Sequence, residues 1–291
     1  MLLSKVNTLK LSDPGYPEPL RNIAGIPKRL FFVGTPPSDW IGQPCVAVVG
    51  SRKASGYGRS VTETITGQLA SHGVVIISGL ALGIDSVAHR AALARGGRTV
   101  AVLPTSLDNI YPSSHLSLAR EIIENRGTIV SEYPAGSEAY KLNFVARNRI
   151  VSGLSRILLI TEAAVNSGTM HTARFALDQG KTVMAVPGNI NQPGSEGCNN
   201  LIKSGAVPVT DAGDVLFALG ISPGESSKRG YPKGLSDAQK DLLDLIAEGV
   251  ADQEALALAS GLRGGEIGAA LTGLEISGAV RPMGAGHWTL A

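Results

Sequence analysis

Gly50-Ser51-Arg52-Lys53 is the first place in the chain where residue types and spacing suggest chemistry: two adjacent cations in a loop carrying a glycine and a hydroxyl. Two later loops share this make-up, Ser78-Gly79-Leu80-Ala81-Leu82-Gly83-Ile84-Asp85 and Asn166-Ser167-Gly168-Thr169. Each lies just ahead of a helical pattern. Glycine lets an anion approach the backbone, and the hydroxyl and the amides of a helix N-terminus donate to its oxygens. The chemistry indicated is phosphate binding. A fourth stretch, from Lys141 to Ile150, gathers Lys141, Phe144, Arg147 and Arg149. Cations beside an aromatic ring suit single-stranded nucleic acid, because the ring stacks a base while the cations track phosphates. Plainer alternatives stand beside both readings. The loop at 50–53 also reads as an ordinary turn with solvated basic residues, and Phe144 as core with one arginine in a structural ion pair.

Signatures of catalysis and of cofactors are missing from the sequence. There is no GxxxxGK[ST] phosphate loop, and Gly56-Tyr57-Gly58 starts a GxGxxG that Val61 breaks. The strand ending at Ile77-Ser78 has no acidic residue for a ribose hydroxyl, which disfavours a nicotinamide dinucleotide. His72, His89, His115, His171 and His287 are scattered without metal-ligand spacing, so neither metal nor cofactor is expected. Asp85 and His89 stand four apart on one side of a helix. They form either an acid/base pair or a helix end satisfied by internal hydrogen bonding. Without a GxSxG elbow or another nucleophile, hydrogen bonding is expected.

Positioning these loops requires a parallel sheet. Val/Ile-rich runs at 46–49, 74–77, 99–103, 128–131, 156–160, 182–186 and 207–209 alternate with helical patterns near 58–71, 84–95, 113–125, 168–179 and 211–219. Repeated strand–helix units of this kind give a doubly wound, Rossmann-like α/β domain, which would bring the three loops to one carboxyl edge. Residues 1–40, with Pro14, Pro17, Pro19 and Pro27 and a short strand at Leu30 to Val33, read as an arm packed on that domain. The domain should run from 41 to 221. A Pro-, Gly- and Ser-containing linker is expected over 222–234, and a smaller domain over 235–291.

At 291 residues, 43% of them hydrophobic and 36 of them glycine, the chain has core enough for two domains with many tight turns. Its formal charge of +2 hides an asymmetry. The last 57 residues hold three basic and eight acidic side chains, a net −5, leaving 23 basic and 16 acidic, a net +7, in the first 234. A polyanion partner is indicated for the larger domain only. No 18-residue apolar run or signal peptide is present, so no membrane partner is expected. Cys45 and Cys198, placed in a strand and a loop, fit a reducing cytoplasm.

Six segments together carry a resemblance to the DNA-processing protein A family (DprA, also called Smf). They are GSR at 50–52, SGLALGIDSVAH at 78–89, ARNRIVSGLS at 146–155, SGTMHTARFAL at 167–177, AVPG at 185–188 and GCNNLIKSGA at 197–206. The resemblance implies an extended Rossmann-like domain, binding of incoming single-stranded DNA, loading of RecA, a homodimer and no catalysis. It assigns DNA contacts to Arg52, Lys141 and Phe144, and matches Arg147 and Arg149 to the family's RNR segment. The chain departs from the family in having Phe144-Val145 where Phe-Pro is usual, and in the shortness of the region before the first strand.

The C-terminal region resembles the winged-helix domain of many members: helices at 236–248, 252–260 and 264–277, then a β pair at 279–283 and 287–290. Its third helix carries two glutamates and no lysine, so it is expected to contact protein and not duplex DNA. The alternative function is a nucleotide enzyme of the phosphoribohydrolase type, with a related sheet and a Gly-Thr loop. Its PGGxGTxxE motif is not found around Ser167-Gly168-Thr169, where His171 and Thr172 follow.

Overall fold

Long apolar runs bounded by glycine become strands here because both faces of the sheet are covered, so no position along them needs to be polar. The structure is a computed structural model, describing residues 6–137, 140–221, 235–247, 250–284 and 286–290. In chain order the strands of the larger unit are β1 (Asn7–Lys10), β2 (Arg29–Gly34), β3 (Cys45–Val49), β4 (Val75–Ser78), β5 (Thr99–Leu103), β6 (Thr128–Ser131), β7 (Ile157–Ile160), β8 (Thr182–Ala185) and β9 (Val207–Pro208). The helices are α1 (Gly56–Ser71), α2 (Ile84–Ala94), α3 (Leu116–Glu124), α4 (Lys141–Gly153), α5 (Thr169–Asp178), α6 (Pro193–Lys203) and α7 (Ala212–Leu219).

The nine strands form one sheet in the order β1-β2-β6-β5-β4-β3-β7-β8-β9. From β3 the chain winds outward through β4 and β5 to β6, then returns to β7 on the other side of β3 and winds outward again. β3 pairs in parallel with both β4 and β7. This reversal makes the carboxyl ends of β3 and β7 the topological switch point, where an open α/β sheet leaves a crevice. Alternation along β3 divides the core. Cys45, Ala47 and Val49 pack with Ile150 and Val151 of α4 and with Ala173 and Ala176 of α5. Val46 and Val48 pack on the other face with Ile65 and Leu69 of α1, Ala88 of α2 and Val215 of α7.

The expected doubly wound sheet is therefore present, with three differences of detail. The N-terminal segment enters the sheet: β1 pairs antiparallel with β2, and β2 antiparallel with β6. Trp40, fully buried, locks the segment by donating from Nε1 to Thr128 Oγ1 at 3.0 Å. β1 has little sequence signal because only alternate residues of Asn7-Thr8-Leu9-Lys10 are partly buried. The cation-rich stretch is a helix, α4, and Cys198 lies in α6 and not in a loop. Pro193 at the start of α6 is compatible with a first helical turn, whose N–H groups have no intrahelical partner.

The chain divides into two compact units, Met1–Ser226 and Ser227–Ala291. The linker expected over 222–234 lies outside the described residues. The smaller unit has α8 (Asp237–Ala247), α9 (Gln253–Ser260), α10 (Gly264–Ile276), β10 (Val280–Gly284) and β11 (His287–Leu290). Three helices followed by an antiparallel hairpin make a winged helix. Its core is apolar, built on Leu242, Leu256, Ile267, Leu271, Leu274 and Val280.

Candidate nucleic-acid interface

The switch point opens into a cleft of about 360 Å³. It is lined by Gly50, Ser51, Arg52 and Lys53 after β3, by Phe144, Arg147 and Asn148 of α4, and by Ser167, Gly168 and Thr169 before α5. Phe144, Arg147 and Asn148 share one face of α4 because they are three and four residues apart. The Arg52 guanidinium lies 5.5 Å from the centroid of the Phe144 ring, a cation–π contact. Tyr111 meets the same ring edge-on, at 5.0 Å and 81°. Arg52 and Lys53 are exposed.

Buried polar groups hold these loops. Ser51 N–H donates to Glu162 O at 2.8 Å, and Ile84 N–H donates to Ser51 O at 3.1 Å, fixing the first loop from both sides. The Glu162 carboxylate, 4% exposed, accepts from Ser55 N–H at 3.1 Å and from Ser55 Oγ at 2.5 Å. Arg147, 4% exposed, donates through Nη1 to Gly79 O at 2.6 Å and to Val102 O. Burial draws its pKa down to about 10, while the charge of Asp85 opposes that shift. Asp85 accepts from Gly79 N–H at 3.1 Å and Ala81 N–H at 3.4 Å. Burial raises its pKa, and Arg147 is the largest opposing influence.

His89 is not paired with Asp85. Its Nδ1 meets Thr99 Oγ1 at 2.7 Å, and that hydroxyl donates to Ile76 O, so Nδ1 carries the proton. Burial brings the His89 pKa down to about 3. The internal hydrogen bonding expected for Asp85 and His89 is thus present, with separate partners. An acid/base pair is not.

Several glycines serve packing. A side chain at Gly79 would fall 2.5 Å from Arg147 Nη2, and one at Gly83, where φ is +80°, would fall 2.2 Å from Ser51 O. These glycines admit protein atoms where the sequence suggested an approaching phosphate. Gly168 has open space beside it.

Nine of the thirteen candidate residues line the cleft: Gly50, Ser51, Arg52, Lys53, Phe144, Arg147, Ser167, Gly168 and Thr169. Gly79 lines an adjoining small pocket with Arg52, Tyr111 and Phe144. Gly83, Lys141 and Arg149 lie outside the cleft lining. Lys141 is exposed in the first turn of α4, and Arg149 forms a two-pronged ion pair with Glu132 at 2.9 and 2.6 Å.

Tyr111, Asn148 and Glu162 escaped the sequence reading. Glu162 alone carried a signal, as a carboxylate just past a wholly apolar strand. Among the described residues, no group of three or more His, Cys, Asp or Glu side chains is placed to hold a metal ion, and no helix is long and apolar enough to cross a membrane.

Comparison with known proteins adds independent findings. Residues 7–220 match the family described as DNA recombination-mediator protein A, and residues 227–286 match the DprA winged helix domain. The chain is 40% identical to Protein Smf of Escherichia coli over 83% of its own length and 67% of that protein. It is 42% identical to the DNA processing protein DprA of Streptococcus pneumoniae over 73% and 74%. The crystal structure of the Streptococcus pneumoniae protein superposes with a TM-score of 0.69 at 41% identity, covering 74% of this chain and 75% of that one. The DNA processing protein A of Helicobacter pylori, described for its single-stranded DNA binding mode, superposes with a TM-score of 0.66 at 33% identity, covering 74% and 95%.

Proposed function

This chain belongs to the DNA recombination-mediator protein A family, and on that premise we propose that it binds single-stranded DNA across the β3–β7 cleft and presents the coated strand to RecA. The observation that carries the proposal is Arg52 set against the Phe144 ring where three helix-leading loops converge. Arg52 and Lys53 grip phosphates, Ser167 to Thr169 supply amides and hydroxyls at the start of α5, and Phe144 supports a base. Lys141 adds a cation to the N-terminal turn of α4, an end already positive through the helix dipole. Arg147 and Arg149 act from beneath, the first by holding the loop that begins at Gly79 and the second by fixing α4 to Glu132.

The mechanism is positioning, with no bond made or broken. The protein works in the cytoplasm as a homodimer, which lengthens the groove. The winged helix meets protein and not duplex DNA: the exposed positions of α10 include Glu266, Ala269, Thr272, Glu275 and Ile276, with no cation among them. A nucleotide hydrolase is disfavoured because the two carboxylates nearest the loops, Asp85 and Glu162, are bound to backbone amides and to Ser55.

Fluorescence anisotropy of a labelled oligonucleotide against a duplex of equal length, at two salt concentrations, tests the proposal. Single strands should bind preferentially, less tightly in high salt, and equally well to residues 1–225 alone. Arg52→Glu should weaken binding at least tenfold for all sequences alike and reduce the salt dependence, since each lost phosphate contact lowers the slope by about 0.7. Equal binding by this variant and the parent would refute the site, and binding to neither nucleic acid would refute the function.

A further inference from the structure

Beyond Lys53 the surface opens into a second cavity, of about 610 Å³, bounded by the start of α1, Glu162 after β7 and the start of α6. Lys53 lines both this cavity and the cleft, so the two are neighbours along one path. We propose that this cavity receives a nucleobase of the bound strand, stacked on Tyr57. The inference rests on the single-strand reading above.

Tyr57 is built as a platform. Its ring is half exposed, and its hydroxyl donates to Pro187 O at 2.7 Å, so the ring is pinned while part of its surface stays free. A pinned ring loses little conformational freedom when a base stacks on it. Ser195, at the first turn of α6, is 7% exposed, yet its hydroxyl makes no hydrogen bond among the described residues while it lines the cavity. Lining the cavity, that hydroxyl can donate to or accept from a group placed there. The exposed side chains of Asn189 and Gln192 add amide donors and acceptors at the wall.

Charge selects the class of ligand. The wall of the cavity includes the buried Glu162 carboxylate, which would repel a phosphate drawn inside, and Lys53 at the shared boundary is the cation in its lining. An uncharged group with hydrogen-bonding edges fits, and a nucleobase is such a group. Phe144 in the cleft and Tyr57 in the cavity then lie on either side of Arg52-Lys53. Ring, cations, ring is the order in which base, phosphate and base occur along a single strand. A duplex keeps its bases stacked and paired inside, so two such platforms also favour single strands.

The test uses the full chain. Tyr57→Leu should weaken binding of a single-stranded oligonucleotide about tenfold, the scale of one base–aromatic stack, with the slope of affinity against salt unaltered. Tyr57→Phe, which keeps the ring, should recover most of that loss. An oligonucleotide carrying 4-thiothymidine should photo-crosslink to residue 57 or to residues 188–195, and 4-thiothymidine monophosphate serves as the free-nucleotide arm. If the parent binds single strands and Arg52→Glu abolishes binding, but Tyr57→Leu binds as the parent does or flattens the salt slope, the second base site is refuted and the cleft stands. Crosslinking by the monophosphate and not by the strand would refute the strand as occupant. A parent that binds no single strand removes the proposed function and this inference together.

Discussion

The two units solve opposite problems. In the larger one the core is threaded with buried polar side chains, among them Asp85, His89, Arg147 and Glu162, whereas the core of the winged helix is formed by leucine, isoleucine and valine. Three of these groups meet the loops of the cleft, Asp85 and Arg147 at the turn at Gly79 and Glu162 at the segment from Ser51 to Ser55, while His89 bonds Thr99 of β5. Burying an arginine or a carboxylate is costly unless it is hydrogen-bonded, so a fold that does it repeatedly at one edge is using stability to hold that edge in place. The winged helix holds its shape by apolar packing and leaves α10 without cations. That absence of cations on α10 is what supports the proposal that this winged helix does not meet duplex DNA.

This contrast breaks first at Arg147. Arg147→Met would strand Gly79 O and Val102 O, at about 1–3 kcal/mol for each buried carbonyl left unpaired. Denaturant titration should show a loss of that order, together with loss of single-strand binding. A variant as stable as its parent would mean that the buried arginine is not what holds the loop.

Acid should act on the larger unit through His89. Its pKa is 6.5 when unperturbed and about 3 in the fold. Between those values the unfolded chain takes up a proton that the folded chain refuses. The stabilising contribution is therefore complete above pH 6.5 and is lost as the pH falls toward 3. The slope is about 1.4 kcal/mol per pH unit for this one group. Thermal unfolding of the parent and of His89→Gln from pH 7 to pH 4 should show a shallower decline in the variant. Parallel curves would remove His89 from the account.

The smallest effect is expected in the winged helix. Thr272 and Glu275 are exposed on α10, three residues apart. Thr272→Lys with Glu275→Lys should raise duplex affinity a few-fold at low salt and leave single-strand binding as it was, because cations placed near a helix C-terminus do not strain it. If the parent already binds duplex through α10, the contrast between the units dissolves.

Much of this architecture was legible in residue order. Strands such as Cys45–Val49 and Thr99–Leu103 announce themselves as unbroken apolar runs, and helices such as Thr169–Asp178 by periodicity after a Gly-Thr start. The winged helix was legible almost to the residue, since its contacts are local and its apolar spacing simple. β1 was not, because a half-exposed edge strand needs only alternate residues buried. The roles of the three cations in α4 were also hidden. Lys141, Arg147 and Arg149 are alike as residue types, but the rotation of the helix on the sheet exposes the first, buries the second against Gly79 and turns the third to Glu132.

By itself, then, the sequence determined the strands other than β1 and the helices other than α4 and α6, that the sheet is doubly wound and mostly parallel, and which loops carry cations and hydroxyls. Those properties follow from local periodicity and composition. Strand order belongs to the tertiary structure. Only the pairing of β3 with β7, two segments more than a hundred residues apart, brings the Arg52 loop opposite the loop that leads into α5. The same packing sets Phe144 under Arg52 and places Glu162 in the wall of the second cavity. Such contacts join groups distant along the chain, and they are chosen by which apolar faces can be covered together.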